Sequence, residues 1–364
     1  MAGFIQHYAV DLGSTTLRVY SDRAREVRTT PNVAVLDRAG GIRARGVRAV
    51  ALQGRTPVGF EVVRPVGRSV ITDQPVAVRL LREALWEAAP CRIWESARAS
   101  VCVSDESTPV ERQALLAVCQ EAGLRAVQLV PASLAAAAGA GVEVRDTSGA
   151  LVVDVGTENV TAALISAASV VLVRSIPQGG AAVDRRLVRH LYEEHDFAVS
   201  VAEAERAKIR LTSLPGEDST LTLKGRELDR GLPRTLTLSA ADLTPALHEV
   251  ADDIAELILS VLVDGPEALV HDVCERGVVL VGEGSRLRGL EERVRRQAQV
   301  PVHTPSRRGE AGAVGAWRLM RWARARGATM EPHRTIASVA PVPSAVVSGP
   351  GSGLGGAVAE PEGA

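Results

Sequence analysis

The chain has 364 residues, of which 46% are hydrophobic and 3% aromatic, and its 42 Lys and Arg side chains nearly balance 43 Asp and Glu. This length allows two or more domains, and the near-neutral charge gives no general attraction to nucleic acid or anionic lipid. The most apolar uncharged run, about residues 126–142, is too short to cross a bilayer, and the first residues show no secretory signal. The sequence therefore predicts a globular cytoplasmic protein that binds no nucleic acid.

A strand–turn–strand pattern opens the chain. YAVDLGSTTLRVY, from Tyr8, contains a β-run that ends at Asp11, a turn of small and hydroxyl residues, and a returning β-run. Gly13 permits a tight turn whose amides and hydroxyls can face phosphate oxygens, and Asp11 can hold magnesium through water. An ordinary hairpin with a polar turn fits the same residues.

Helices and buried strands are predicted next. Apolar spacing favours a helix within RSVITDQPVAVRLLREALWEA and another over Val110–Ala122 that ends at Gly123. AVQLVP then has the composition of a buried strand. Trp86 and Trp94 flank EAAPCRI, and core packing is the favoured interpretation for either ring.

The opening pattern recurs in LVVDVGTENVTAALI, where Asp154 lies 143 positions after Asp11. This repetition predicts an α/β chain with two related halves and a ligand between them. In the second turn, however, Glu158 stands where a small residue would let backbone amides approach phosphate, and its charge repels phosphate.

Three later segments complete the pattern. AEAERAKIRL predicts a helix with Glu205 and Lys208 on one face, either as a solvated ion pair or as ligands of ribose hydroxyls. STLTLKGRELDRGLPRTLTLS holds two β-runs and predicts a small inserted sheet. GVVLVGEGSRLRGL predicts a buried strand, a Gly-x-Gly turn and a helix from about Leu287 whose first amides favour an anion, although Glu283 opposes one.

The last periodic segment is AGAVGAWRLMRWARARG, with Trp317 and Met320 on one helix face beside a basic edge. A packed helix is favoured over one that binds anionic lipid. From about Ala328 the chain is rich in Gly, Pro, Ser and Ala without periodicity, which predicts a disordered tail.

The order of these motifs along one chain resembles the MreB/Mbl family of bacterial actin-like cell-shape proteins, and the composition looks most like actinobacterial members. The similarity runs from about Tyr8 to Arg326 and includes QGRTPVGFEVVRPVGRSVITD, AAAAGAGVEV, IPQGGAAVD and AERAKIRLTSLPGE. It implies an actin-like ATPase fold with four subdomains, in which two ribonuclease-H-like halves enclose a central nucleotide cleft. The implied divisions are a first half over 1–150 with an inserted subdomain at about 31–75, a second half over 151–312 with an inserted subdomain at about 184–250, a terminal helix over 313–327 that returns to the first half, and a tail over 328–364.

The resemblance also implies ATP and magnesium in the cleft. Asp11 and Asp154 match the family's magnesium-associated aspartates, which act through water, and Glu205 and Lys208 match its ribose-contacting pair. The residues expected to contact the nucleotide are Gly13, Ser14, Thr15, Thr16, Gly156, Thr157, Glu158, Asn159, Glu205, Arg206, Lys208, Gly282, Gly284, Ser285, Arg286 and Leu287.

The chain departs from the family at the residues that handle phosphate. The family's second phosphate loop, Asp-Ile-Gly-Gly-Gly-Thr, is replaced by DVGTEN at 154–159, Glu283 interrupts a Gly-Gly-Gly run, and Thr16 replaces an asparagine. The family's glutamate that positions the attacking water aligns with Ala132, which has no acid. We therefore expect weakened ATP binding, no catalytic residue of the family type and at most a weak ATPase; a base relocated to Glu158 is the alternative.

These inferences predict a cytoskeletal protein of the MreB family that assembles with itself or with another family member. We expect it to act in cell shape and in placing cell-wall synthesis, with membrane-associated wall-synthesis proteins as partners and peripheral contact with the inner face of the membrane. Two alternatives stay open: a nucleotide-free scaffold that co-assembles with a fuller MreB, and a phosphotransferase, for which the sequence shows neither a catalytic carboxylate nor a sugar pocket.

Overall fold

A computed structural model describes residues 5–89, 96–213 and 219–326. The predicted tail from Ala328 and the side chain of Trp94 lie outside these residues. Within them, no helix is long and apolar enough to cross a membrane.

The chain as far as residue 140 contains the following elements: β1 (Ile5–Leu12), β2 (Thr16–Ser21), β3 (Glu26–Pro31), β4 (Ala34–Leu36), β5 (Ile42–Arg45), α1 (Gly46–Leu52), β6 (Glu61–Val63), β7 (Val66–Gly67), β8 (Val70–Ile71), α2 (Gln74–Ala88), β9 (Ser96–Val103), α3 (Pro109–Glu121), β10 (Ala126–Pro131) and α4 (Ala132–Ala140). The remainder contains β11 (Ala150–Val155), β12 (Val160–Ser166), β13 (Ser169–Ile176), α5 (Gly180–His195), β14 (Phe197–Ala198), α6 (Val201–Ser213), β15 (Thr220–Glu227), β16 (Pro233–Ser239), α7 (Thr244–Asp264), α8 (Glu267–Arg276), β17 (Val278–Val281), α9 (Leu290–Ala298), β18 (Val302–His303) and α10 (Ala311–Ala325).

Two five-stranded sheets repeat one topology. The first has the order β10-β9-β1-β2-β3, and the second has the order β13-β12-β11-β17-β18. In each sheet the opening strand forms an antiparallel meander with the next two strands and pairs in parallel with a later one. The α/β class and the two related halves predicted from the recurring hairpin are therefore confirmed.

Each half also carries small sheets. In the first half, β5-β4-β6 and the β7–β8 hairpin lie between β3 and α2. In the second half, β14-β15-β16 lies between α5 and α7, with β15 and β16 paired antiparallel. This pair is the small inserted sheet that the two β-runs predicted.

The two halves share a cluster of apolar side chains around α4 and α10. The helices approach closely because glycines stand at the crossing: a Cβ atom added to Gly315 would lie 1.6 Å from the carbonyl oxygen of Ala135, and one added to Gly139 would lie 1.8 Å from that of Ala311. The alanine-rich run of α4 thus serves close backbone packing. α10 also packs against β1 and β9, so the terminal helix lies on the first half.

Some local predictions are corrected. Trp86 is 55% exposed on α2, so the expectation of core packing was wrong for this ring. The helix expected from about Leu287 begins at Leu290, because a short 3₁₀ turn over Glu283–Arg286 comes first. The packed interpretation of the terminal helix is confirmed, since Met320 is buried and Trp317 contacts Tyr20 with ring centroids 4.6 Å apart.

The close crossing of α4 and α10 should reverse the usual effect of replacing a helix glycine by alanine. Gly→Ala in a helix interior normally stabilises by about 1 kcal/mol through helix propensity. Gly315→Ala should instead lower the free energy of unfolding by about 1–3 kcal/mol, because the added methyl group meets backbone that has to move. Urea denaturation measures the change, and a stabilised variant would contradict the packing.

Candidate functional site: a cleft between the two halves

A cavity of about 460 Å³ lies between the two halves. Its walls include the turns after β1, β11 and β17 and one face of α6. The predicted nucleotide contacts that line it are Gly13, Ser14, Thr15, Thr16, Gly156, Thr157, Glu158, Asn159, Glu205, Lys208, Gly282, Gly284, Arg286 and Leu287.

Two predicted contacts make other interactions. Arg206 pairs with Glu203 and donates to the carbonyl oxygen of Gln53 at 3.5 Å. Ser285 is buried and donates its hydroxyl to the carbonyl oxygen of Gly282 at 2.7 Å. Neither is among the residues that line the cavity.

The two hairpin turns are built alike. The amide of Gly13 donates to the carbonyl oxygen of Thr16 at 3.0 Å, and the amide of Gly156 donates to that of Asn159 at 3.0 Å. At either glycine an added Cβ would lie 2.9 Å from the same carbonyl oxygen. Both turns therefore need glycine for the close approach of the chain, as the sequence predicted.

Asp11 and Asp154 stand at the ends of β1 and β11 and line the cavity. Burial raises the pKa of the Asp11 carboxyl, although Arg18 opposes the rise. Burial and then the charge of Asp11 raise the pKa of Asp154 to about 6. Two carboxylates that repel each other beside an open cavity are suitable partners for a water-bridged cation, and a dication would relieve their repulsion. Across the described ranges no group of three or more His, Cys, Asp or Glu is placed to bind a metal directly.

Arg18 was missed by the sequence reasoning. Its guanidinium is buried in the cleft, with Nη1 3.5 Å from Oδ2 of Asp11 and Nη2 3.3 Å from Oε1 of Glu283. Glu283 also accepts a hydrogen bond from Nε of Arg286 at 2.8 Å. The charge of Glu283, predicted to oppose phosphate, is therefore offset by two arginines. The sequence contained one signal for this role, namely an arginine within the buried run of β2.

Glu158 reaches across the cleft. Its carboxylate accepts a hydrogen bond from the backbone amide of Arg68. Arg68 and Ser69 form the two-residue turn of the β7–β8 hairpin, where both have positive φ. A further cross-cleft contact joins Nη2 of Arg64 to Oε2 of Glu205 at 3.8 Å. The second half thus contacts the small sheets of the first half directly.

Lys208 is buried rather than solvated. Its ammonium group donates to the carbonyl oxygen of Gly180 and to Oδ2 of Asp184, both at 2.8 Å. Burial raises the pKa of Asp184 to about 6, and the charge of Lys208 opposes the rise. Of the two interpretations of Glu205 and Lys208, the solvated ion pair is wrong, because Lys208 pairs with Asp184 while Glu205 faces Arg64.

A second residue that the sequence reasoning missed is Asp105, which lines the cavity beside Ala132 and Ser133. Its Oδ1 accepts a hydrogen bond from Oγ of Ser133 at 2.5 Å, and its Oδ2 accepts one from the Ser133 amide at 3.1 Å. Burial raises the pKa of this carboxyl despite both bonds. Asp105 is distant from Ala132 in the chain but lies against the neighbouring Ser133 in space.

This fold has solved counterparts. The chain matches the crystal structure of MreB5 of Spiroplasma citri bound to AMPPNP with a TM-score of 0.82 and 23% identity, over 88% of this chain and 98% of that one. It matches the MamK double helical filament with a TM-score of 0.72 and 20% identity, over 87% and 99% of the two chains. The protein therefore has the actin-like fold that the resemblance implied.

Sequence comparison is more specific. Residues 5–326 match the model of the MreB/Mbl protein family. The cell shape-determining protein MreB of Escherichia coli (strain K12) is 32% identical over 307 residues, which cover 82% of this chain and 88% of that protein. This chain belongs to the MreB/Mbl family.

The two residues expected to contact ribose should differ in their effect on stability. Lys208→Met leaves Asp184 buried without its cation and should lower the free energy of unfolding by about 3–5 kcal/mol. Glu205→Gln loses only a long, partly exposed ion pair and should change it by less than about 1 kcal/mol. Denaturant titration of both variants checks the contrast. Adding Asp184→Leu to Lys208→Met should restore stability, and equal losses in the two single variants would contradict the assignment.

Proposed function

We propose that this protein binds ATP with magnesium in the cleft between its halves, weakly compared with other MreB-family proteins. The observation that carries this proposal is the pair of matched glycine turns, each preceded by an aspartate, that line one cavity. Asp11 and Asp154 would hold the ion through water, and the ion would offset the charge of the phosphates. The MreB5 structure was determined with AMPPNP bound, which supports a nucleotide for this fold.

Weak binding follows from the groups that stand in the cleft. Glu158 places a carboxylate at a phosphate turn, and Lys208 is already paired with Asp184. We propose that hydrolysis is very slow as well, because Ala132 stands at the place of the family's water-positioning glutamate.

We further propose that the protein assembles into filaments, with itself or with another MreB-family protein, and acts in cell shape by placing cell-wall synthesis. The E. coli relative is a cell shape-determining protein, and MamK forms a double helical filament. The proposed location is the cytoplasm, at the inner face of the membrane, with membrane-associated wall-synthesis proteins as partners. The exposed ring of Trp86 gives α2 an apolar contact for such a surface.

The alternative is a nucleotide-free scaffold. It is favoured by one observation, namely that Arg18 and Lys208 find carboxylate partners within the protein. Equilibrium binding of ATP in the presence of magnesium separates the two proposals.

The carboxylates of Glu158 and Glu283 at the glycine turns should weaken ATP binding. Replacing Glu158 and Glu283 together by glycine should tighten ATP binding, because a like charge near phosphate costs on the order of 1 kcal/mol or more. Removing Glu283 also frees the charge of Arg18 for the ligand. Calorimetric titration should show an affinity at least about fivefold higher than that of the natural protein.

Glu194→Gln, which removes an exposed charge on α5, is the control and should leave the affinity unchanged. An unchanged or weaker affinity in the glycine variant would mean that neither carboxylate faces the phosphates.

Assembly is tested by sedimentation. The purified protein should pellet at high concentration with ATP and magnesium, or pellet together with an MreB-family protein from the same cell. A protein that stays monomeric and also fails to co-sediment would refute the filament proposal while leaving ATP binding to be judged separately.

A further inference from the structure

The strand order of the first sheet explains how Asp105 comes to lie at the cleft. Strands β9 and β10 pair in parallel, with Val103 opposite Pro131 at their ends. Asp105 lies two residues beyond the end of β9, and Ser133 lies two residues beyond the end of β10. The carboxyl ends of parallel strands meet at one edge of a sheet, which is where ligands bind in open α/β sheets.

The Asp105 carboxylate is fixed in place but retains hydrogen-bonding capacity. Ser133 supplies one donor to each of its oxygens, through its hydroxyl at 2.5 Å and its amide at 3.1 Å. An ionised carboxylate can accept about four hydrogen bonds, so these bonds leave it with acceptor capacity. The residue is only 8% exposed and lines the cavity. A water molecule in the cleft can therefore bond to a carboxylate that cannot rotate away.

We propose that Asp105 is the catalytic residue of this protein's residual ATP hydrolysis, where it positions the attacking water and accepts its proton. This inference rests on the proposed binding of ATP. The water oxygen forms a bond to the γ-phosphorus while the bond from that phosphorus to the bridging oxygen of ADP breaks. The proton of the water passes to Asp105 and then to solvent, which leaves ADP and inorganic phosphate.

Asp105 is better placed for this role than Glu158. The Glu158 carboxylate is engaged by the Arg68 amide on the small hairpin of the first half. Asp105 instead adjoins Ala132, the position that aligns with the family's water-positioning glutamate. Burial also makes the Asp105 carboxylate a stronger base than an exposed aspartate.

The test is the steady-state rate of phosphate release at saturating ATP and magnesium, with ATP affinity and melting temperature measured on the same samples. Asp105→Asn keeps the shape of the side chain, and its amide can still exchange hydrogen bonds with Ser133. Its turnover should fall by about 10²–10⁴-fold, which is the usual contribution of general base catalysis, with little change in affinity or melting temperature. A merely structural role would lower the melting temperature and leave the turnover of the folded protein intact.

Two controls accompany this variant. Glu106→Gln changes the adjacent exposed carboxylate and should turn over at the natural rate. Ser133→Ala leaves the carboxylate but removes the hydroxyl donor at 2.5 Å, so it should lower kcat with an unchanged ATP affinity. If Asp105→Asn does not fold, Ser133→Ala decides the matter, and an unchanged kcat there overturns the inference.

The remaining outcomes separate this inference from the proposed function. ATP binding without phosphate release by the natural protein, or natural turnover in Asp105→Asn, overturns the role of Asp105 and leaves ATP binding intact. Loss of turnover in Glu158→Ala with persistence in Asp105→Asn assigns the base to Glu158 and also overturns it. Failure to bind ATP removes both proposals together.

Discussion

The cost of sheltering charged groups from water determines what the cleft of this protein can bind. Asp11, Asp105 and Asp154 all have pKa values raised by burial. The buried guanidinium of Arg18 offsets part of that charge by lying between Asp11 and Glu283. A ligand that enters the cleft has to interact with these charged groups more favourably than they interact with one another. A cation would reduce the repulsion between phosphates and these carboxylates, and nucleotide and magnesium are therefore proposed together.

The same constraint explains why the two residues expected to contact ribose have different partners in the protein. Lys208 lies on the inner face of α6, where an unpaired ammonium would be costly, and Asp184 of α5 satisfies it. Glu205 lies toward the cleft and meets Arg64 from the small sheets of the first half. One residue therefore maintains the packing of the second half, and the other takes part in contact between the halves.

Much of the architecture could be predicted because it is encoded locally. Alternating apolar residues and glycine turns identified the two hairpins, and their spacing identified the repeat. Side-chain partners could not be predicted in this way, since Arg18 and Glu283 are 265 positions apart and Asp105 and Ser133 are 28 apart. The exposure of Trp86 likewise depends on which face of α2 the sheet covers.

The hydrogen bond between Glu158 and the Arg68 amide has a kinetic consequence. It joins the turn after β11 to the β7–β8 hairpin across the cleft. Movement of the β7–β8 hairpin away from the second half has to break this contact. A ligand that needs this movement to enter has its apparent affinity reduced by the fraction of molecules in which the contact is broken. For such a ligand the rate of association levels off at high concentration at the rate at which the contact breaks, rather than rising to the diffusion limit.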